Sequence, residues 1–170
     1  MTAAPVVLGI DPGLMGALCW MDASTSAVLH IADLPVTVEG KKKSIDAVAF
    51  MALLKRHPRP CRAVVELVGS RPTDSRPGAF TFGRNLGAIE ALIQAHEIPL
   101  QRVAPLTWRK AAGLVAGVGK EASLAAALRL HPSARPFLEG KQARHDRGDA
   151  VLIASWGVWM RRGGVGVKSR

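Results

Sequence analysis

With 170 residues, 48% of them hydrophobic, the chain is long enough for one domain to bury its own core without disulfides or structural metals. No apolar stretch is long enough to span a membrane, and nothing before the first apolar run resembles a signal peptide, so we predict a cytoplasmic protein without membrane segments. Lys and Arg number 23 against 13 Asp and Glu, and the net charge of +10 favours nucleic acid as the partner class, the alternative being that the charge serves only solubility.

The first element is a short run of β-branched and other apolar residues, 6–10, between a proline and the turn Pro12-Gly13. This pattern predicts a buried strand, and Asp11 follows it directly. An acid there is costly unless it is paired, protonated or metal-bound, although it can also cap the turn through the backbone. Two further strands, 16–21 and 27–31, follow so closely that the first three strands must be antiparallel.

A basic loop over 35–43 contains Lys41, Lys42 and Lys43 and precedes a helix that we expect Ser44 to cap and His57 to end. The run 63–68 then predicts a second buried strand, with Glu66 in its middle. Two acids in separate core strands suggest a shared site. The two cysteines, Cys19 and Cys61, lie in apolar surroundings without a metal-like cluster, so we predict reduced core residues.

A polar loop over 69–78 leads into a predicted helix over 81–95, a short strand over 98–103 and a turn that holds Trp108, Arg109 and Lys110. The glycine-rich stretch 113–120 does not fit a phosphate-binding P-loop, because its glycine spacing is one residue too long and Glu121 replaces the hydroxyl that would bind magnesium. We therefore predict no nucleotide cofactor.

The remaining predicted elements are a helix over 120–130, a loop over 132–140 and a final helix over 143–160. Asp146 and Asp149 are three residues apart in the last helix and share one side of it, with His145 within one turn. Acids in a first helical turn also interact well with the macrodipole and can cap it, which is the alternative explanation for this pair.

Together, Asp11, Glu66, Asp146 and Asp149 would place four carboxylates in one pocket. Without neutralisation they would repel one another and their pKa values would rise. Mg²⁺ relieves such repulsion and prefers oxygen ligands, and two ions about 4 Å apart can activate a water and stabilise a leaving oxygen in phosphodiester cleavage.

Several motifs spread over most of the chain carry a resemblance to a known family. They are Gly9-Ile10-Asp11-Pro12-Gly13, Val64-Val65-Glu66, the helix segment 82–88, Gly117-Val118-Gly119-Lys120, and the run 146–154 that begins Asp-x-x-Asp-Ala. In these motifs the chain resembles the RuvC Holliday-junction resolvases of the RNase H-like superfamily. The first motif also occurs in actin-like ATPases and YqgF-type nucleases, but an actin-like protein needs a larger, two-lobed chain.

The resemblance implies an α/β fold, a five-stranded mixed sheet flanked by α-helices, in a single nuclease domain over 1–160 with a basic tail over 161–170. It implies a homodimer that makes paired nicks in four-way DNA junctions with two Mg²⁺ ions per active site, Mn²⁺ being able to substitute. Asp11, Glu66, Asp146 and Asp149 would be the metal ligands. Family members carry Asp or His at the position of Asp146, so a switch of ligand to the adjacent His145 stays open.

The resemblance also assigns basic residues. Lys110 and Lys120 are similar to the family's cations near the scissile phosphate, and Lys120 would be catalytic. We expect DNA contacts from Arg71, Arg76, Arg84, Lys110 and Lys120. Where the family commonly has an aromatic wedge, three residues after the glutamate, this chain has Gly69; Phe80 or Phe82 could replace the wedge or belong to the core.

Three readings of function therefore remain. The first is a Mg²⁺-dependent junction-resolving endonuclease, and the second is a less selective nuclease for flaps, forks and other branched DNA. The third is a DNA-binding module that kept the fold but has no activity. The four acids favour a nuclease over the last of these.

Overall fold

The computed structural model describes residues 4–40, 42–69, 75–115, 117, 119, 121–140 and 144–164. The strands are β1 (Val6–Ile10), β2 (Ala17–Asp22), β3 (Val28–Asp33), β4 (Val36–Glu39), β5 (Lys42–Ile45), β6 (Arg62–Glu66) and β7 (Leu100–Val103). The helices are α1 (Ala47–Arg56), α2 (Arg76–Ala95), α3 (Pro105–Ala111), α4 (Glu121–Leu130), α5 (Arg135–Leu138) and α6 (His145–Arg161), with a 3₁₀ turn, Pro132–Ala134, before α5.

Five of these strands form a mixed sheet in the order β3-β2-β1-β6-β7. β1 pairs antiparallel with β2, and β2 with β3, whereas β6 lies parallel to both β1 and β7. The predicted five-stranded mixed sheet with three antiparallel strands is confirmed. Its cause is the spacing along the chain, because short connections join β1 to β2 and β2 to β3, whereas the crossovers through α1 and α2 are long enough to return parallel strands.

The side chains of β1 alternate between the two faces of the sheet. Val7 belongs to a core cluster with α6, α4 and α3, whereas Val6 and Leu8 belong to a second cluster with α1 and α2. Each face therefore has its own apolar layer, and helices cover both.

The basic segment after β3 is a hairpin, so the prediction of a loop over 35–43 was wrong. β4 pairs antiparallel with β5, and the Ser44 hydroxyl lies 2.9 Å from that of Thr37 across the pair. Ser44 therefore does not cap α1; the side chain of Asp46 does, accepting from Ala49 N at 3.0 Å. Polar residues at most hairpin positions hid the strand pattern.

α2 begins at Arg76, five residues before the predicted start at 81. Ser75 is its N-cap and accepts from Gly78 N, and Pro77 lies in the first turn, where a missing N–H costs nothing. The Pro, Ser and Gly content of this stretch had indicated a loop. The longer helix carries Phe80, which is 72% exposed.

The C-terminal helix passes the predicted domain boundary at 160. α6 ends at Arg161, and the side chain of Arg162 donates to the backbone carbonyls of Ala23 and Ser24 after β2. The basic tail predicted from residue 161 thus begins inside a docked helix, and its residues 165–170 lie outside the described part of the chain.

The two cysteines differ in environment. Both are free, but only Cys19 is buried, and Cys61 is exposed, contrary to the prediction of two core residues. No helix in the described ranges combines the length and the apolar character required to cross a bilayer.

α6 approaches β1 closely because both contribute glycine at their contact. A Cβ added to Gly9 would lie 2.4 Å from Ala150 O and from Ala154 N. Gly157, one further turn along α6, would likewise meet the side chains of Val7 and Val64. Gly9 therefore fixes how near the helix lies to the sheet.

We expect Gly9→Ala to lower the free energy of unfolding by about 3 kcal/mol, because the new methyl group overlaps backbone atoms that cannot move independently. Gly87→Ala in α2 is the matched control, because no atom of the described residues lies within 4 Å of its added Cβ and the change should stabilise the helix by up to about 1 kcal/mol. Urea unfolding measures both. Equal effects of the two substitutions would contradict the packing described here.

Candidate active site

Two strands bring Asp11 and Glu66 to the same edge of the sheet. β1 and β6 are parallel neighbours in which Ile10 pairs with Val65. Asp11 follows Ile10, and Glu66 follows Val65. Because the strands run in the same direction, both acids lie at their carboxyl ends, side by side.

α6 brings the other two predicted acids to this edge. Ala150 and Ala154 cross β1 at Gly9, so the helix begins beyond the end of the strand, near Asp11. Arg147 points away from the acids and makes two hydrogen bonds to Asp33, of 2.7 and 3.0 Å. This bidentate contact ties the first turn of α6 to the end of β3.

Asp11 carries the clearest electrostatic sign of the cluster. Burial raises its pKa to about 7, and the charges of Glu66, Asp149 and Asp146 add to the rise, although the N–H of Gly13 opposes it from 3.3 Å. The four acids that the sequence singled out are therefore close enough for three of them to act on the fourth. The contact with Gly13 also means that Asp11 caps its turn. A role in the turn and a place in the acidic cluster are therefore compatible.

Within the part of the chain that the structure describes, one carboxylate oxygen of Asp149 is buried and makes no hydrogen bond of ordinary geometry. Burial raises the pKa of Asp149, and the charge of Asp146 adds to the rise. The nearby Ser123 hydroxyl, Arg109 and His145 oppose it. Ser123 is close enough to act on this charge, yet within the described residues neither Asp149 Oδ1 nor Ser123 Oγ makes a hydrogen bond of ordinary geometry. A buried carboxylate oxygen left in this way is costly, and a cation would satisfy it.

The other acids have protein donors. Trp108 Nε1 donates to Glu66 Oε1 at 2.8 Å. Asp146 lies 2.9 Å from His145 Nε2 and 3.5 Å from the guanidinium of Arg144. Arg144 is the N-cap of α6 and makes no side-chain cap, and Asp146 lies in the first turn, where its negative charge also interacts favourably with the helix dipole.

The carboxylate oxygens of the four acids are suitable ligands for a divalent cation, but their present orientations do not form a metal site. Among the residues that the structure describes, no three His, Cys, Asp or Glu side chains are arranged so that they could hold a metal ion. The carboxylates are instead turned toward Gly13, Trp108 and His145. However, burial and the neighbouring acids raise the pKa of Asp11, one buried oxygen of Asp149 makes no hydrogen bond to the described residues, and carboxylate oxygens are the ligands of hard cations.

Arg109 is a site residue that the sequence reasoning missed. Its guanidinium is close enough to Asp149 to oppose the rise in that pKa, and it lies 5.4 Å from the centroid of the Trp108 ring. Lys110 is exposed one position further along α3 and lines a cavity with Trp156 and Trp159. A seven-residue helix shows no period from which its inner face can be predicted. Lys120 lies outside the described residues.

Two of the five predicted DNA-binding residues lie on α2. Arg76 and Arg84 are both exposed on α2. Arg84 lines a cavity of about 500 Å³, together with Leu14 after the Asp11 turn, Lys42 and Lys43 of the hairpin, and Pro77, Phe80 and Thr81 of α2. We call this set the hairpin–α2 surface. Arg71 lies outside the described residues, and the partly buried Phe82 faces Pro12 and Leu14 in a neighbouring pocket.

Comparison with known proteins identifies similar chains. Over 94 residues, 55% of this chain, the sequence is 33% identical to the chloroplastic Holliday junction resolvase MOC1 of Chlamydomonas reinhardtii. That match spans 10% of the length of the relative. No family model matches the chain.

Solved structures give a more extensive match. Thermus thermophilus RuvC in complex with a Holliday junction substrate superposes with a TM-score of 0.66 at 19% identity, covering 95% of this chain and 98% of that one. The yeast mitochondrial resolvase Ydc2 gives a TM-score of 0.60 at 16% identity, over 95% and 81% of the two chains. The resemblance to RuvC is confirmed, and the chain has the RuvC fold.

Asp11 gives the protein a distinctive dependence on pH. Its pKa is about 7 in the folded state and near 3.8 when unfolded, so its contribution to stability is fully present below about pH 4 and is lost as the pH rises through 7. In EDTA, Asp11→Asn should therefore increase the free energy of unfolding at pH 8 by roughly 2–4 kcal/mol and change it little at pH 4.

Asp22→Asn is the control of opposite sign, because the Thr25 and Ser24 N–H groups lower the pKa of this exposed acid. It should destabilise the protein at pH 8. Urea unfolding at the two pH values measures both variants. The assignment of Asp11 is wrong if Asp11→Asn is no more stable than the parent at pH 8.

Proposed function

We propose that this chain is a Mg²⁺-dependent endodeoxyribonuclease that resolves four-way DNA junctions by paired nicks. The observation that carries the proposal is the convergence of Asp11, Glu66, Asp146 and Asp149 at one edge of the sheet, where burial and mutual repulsion raise the pKa of Asp11 to about 7. The RuvC fold and the similarity to proteins named as Holliday junction resolvases support it. The net charge of +10 suits a DNA substrate.

The four acids would hold the metal. Their oxygens suit a divalent cation, with Mg²⁺ preferred, Mn²⁺ as a substitute and two ions per site. When bound, such a pair of ions lowers the pKa of water and stabilises a leaving oxygen. We assign Asp146 rather than His145 as the ligand, with His145 orienting the carboxylate of Asp146 through their 2.9 Å contact.

The basic residues would act on the phosphate. Arg109 lies beside Asp149, so its fixed positive charge would face the negative charge that develops on a phosphate bound there. We keep Lys120 as a second candidate for this role on the motif alone. Lys110 would contact DNA outside the reacting centre, since its side chain is exposed.

The hairpin–α2 surface would bind the DNA beside the cut. Lys42, Lys43 and Arg84 offer charge to phosphates, and Arg76 extends the basic surface along α2. Phe80 is exposed among these cations, which suits an aromatic that stacks on a base. It is our candidate for the wedge that Gly69 cannot supply, and Arg71 remains a predicted DNA contact.

Paired nicking needs two active sites. We propose a homodimer, because a two-fold axis would match the symmetry of a four-way junction. The free cysteines suit a reducing compartment such as the cytoplasm. The alternative function is broader cleavage of flaps and forks, which Gly69 in place of an aromatic favours; comparison of four-way, three-way and linear substrates separates the two.

Loss of one carboxylate should separate cleavage from binding. We expect Glu66→Gln and Asp149→Asn to reduce cleavage of a labelled four-way junction in Mg²⁺ by about 10³-fold, because the ions lose a charged ligand. Junction binding in EDTA should change less than about 3-fold, since phosphate contacts dominate affinity. EDTA should abolish cleavage by the parent protein. A variant that cuts at the parental rate would remove that residue from the site, and cleavage in EDTA would rule out the metal.

Two adjacent cations provide a second test. Arg109→Gln should lower the single-turnover cleavage rate about 10²-fold, as expected for loss of a charge that faces the reacting phosphate. Lys110→Gln, with the same change one position along α3, should lower it less than about 3-fold. If Lys110→Gln lowers the rate more than Arg109→Gln does, Lys110 rather than Arg109 is the cation near the scissile phosphate.

A further inference from the structure

Trp108 connects the acids to the core. Its indole N–H donates to Glu66 Oε1 at 2.8 Å, while the residue is 1% exposed. It is therefore a buried aromatic residue whose polar atom is directed at a carboxylate of the candidate active site.

The position of Trp108 follows from the sheet. Glu66 pairs with Val103 at the ends of β6 and β7, and α3 begins at Pro105, two residues after β7. The first turns of α3 consequently lie beside Glu66. A proline in the first turn and a buried side chain one turn later fix the direction of this short helix.

The ring has little freedom to move. Trp108 belongs to the core cluster that contains Ala112, Leu152 and Trp156, and the guanidinium of Arg109 lies over its ring at 5.4 Å. A tryptophan has only two side-chain torsions, so packing on this scale fixes its N–H in space. The carboxylate of Glu66 has a soft terminal torsion by comparison.

We propose that Trp108 is a positioning residue that fixes the orientation of the Glu66 carboxylate for metal binding. The inference rests on the proposed function, in which Glu66 is a metal ligand. A donor held by the core restricts rotation of the carboxylate, and the ligand then loses less freedom when it binds an ion. Groups that orient metal ligands in this way typically account for 10- to 100-fold in metal affinity.

A purely structural role for the ring is the competing explanation, and the chain offers a matched control. Trp108→Phe keeps an aromatic ring but removes the N–H. Trp156→Phe makes the same change in a second buried tryptophan. Trp108 and Trp156 both line one cavity of about 550 Å³. Within the described residues Trp156 Nε1 has no hydrogen-bond partner, so its removal breaks no contact with an acid.

The experiment measures metal affinity without DNA, from the free Mn²⁺ signal in electron paramagnetic resonance. We expect Trp108→Phe to raise the Kd for Mn²⁺ about 10-fold and Trp156→Phe to change it less than 2-fold. Glu66→Gln should weaken binding as well, and adding Trp108→Phe to Glu66→Gln should weaken it no further, because Trp108 acts only through Glu66.

The outcomes separate the two proposals. If Glu66→Gln weakens Mn²⁺ binding and Trp108→Phe does not, the positioning role is wrong and the metal site stands. Equal losses in Trp108→Phe and Trp156→Phe also overturn the positioning role, because packing then explains both. If neither Glu66→Gln nor Asp149→Asn weakens binding, the proposed metal site itself fails.

A second measurement covers the case in which Trp108→Phe does not fold. In protein labelled with ¹⁵N-tryptophan, Mg²⁺ should shift the indole resonance of Trp108 and leave that of Trp156 in place. The shift should be absent in Glu66→Gln. A Trp108 resonance that does not respond to Mg²⁺ in the parent protein, when Mn²⁺ is bound normally, contradicts the role.

Discussion

Four acidic side chains are crowded at one edge of a buried sheet, and the folded chain must offset both their burial and their mutual repulsion. Asp11 can ionise only against its own burial and against Glu66, Asp149 and Asp146, and the Asp149 oxygen that makes no hydrogen bond to the described residues adds to the cost. A fold accepts such a cost where function requires it. The strands, the glycine contact and the ion pair of Arg147 all serve to keep these groups together.

The main features of this arrangement could be predicted from the sequence because they depend on short-range pattern. Apolar runs identified the five strands of the main sheet, and their spacing made the first three antiparallel. An acid directly after or within a buried strand is unusual enough to be noticed. The helical period placed Asp146 and Asp149 on one side of the last helix. Composition alone supplied the charge that suits DNA.

The parts that could not be predicted depend on contacts between distant segments or on weak local signals. Trp108 lies beside Glu66 because of the register in which β6 pairs with β7. The orientation of α3, which includes the contact of Trp108 with Glu66, also brings the charge of Arg109 near Asp149. The hairpin of β4 and β5 is short and polar, so no alternation revealed it. Proline and glycine at the start of α2 are compatible with a loop as well as with a first helical turn. The helix was therefore predicted to begin after Phe80, and the exposure of Phe80 on α2 could not be predicted.

We propose that four acids, from two strands and one helix, form a single metal site. Anomalous diffraction from crystals soaked in Mn²⁺ near neutral pH locates the ions without reference to activity. We predict Mn²⁺ peaks between Asp11, Glu66 and the first turn of α6, at about 2.2 Å from carboxylate oxygens. Mn²⁺ that binds only elsewhere on the protein, with these side chains uncoordinated, would contradict it.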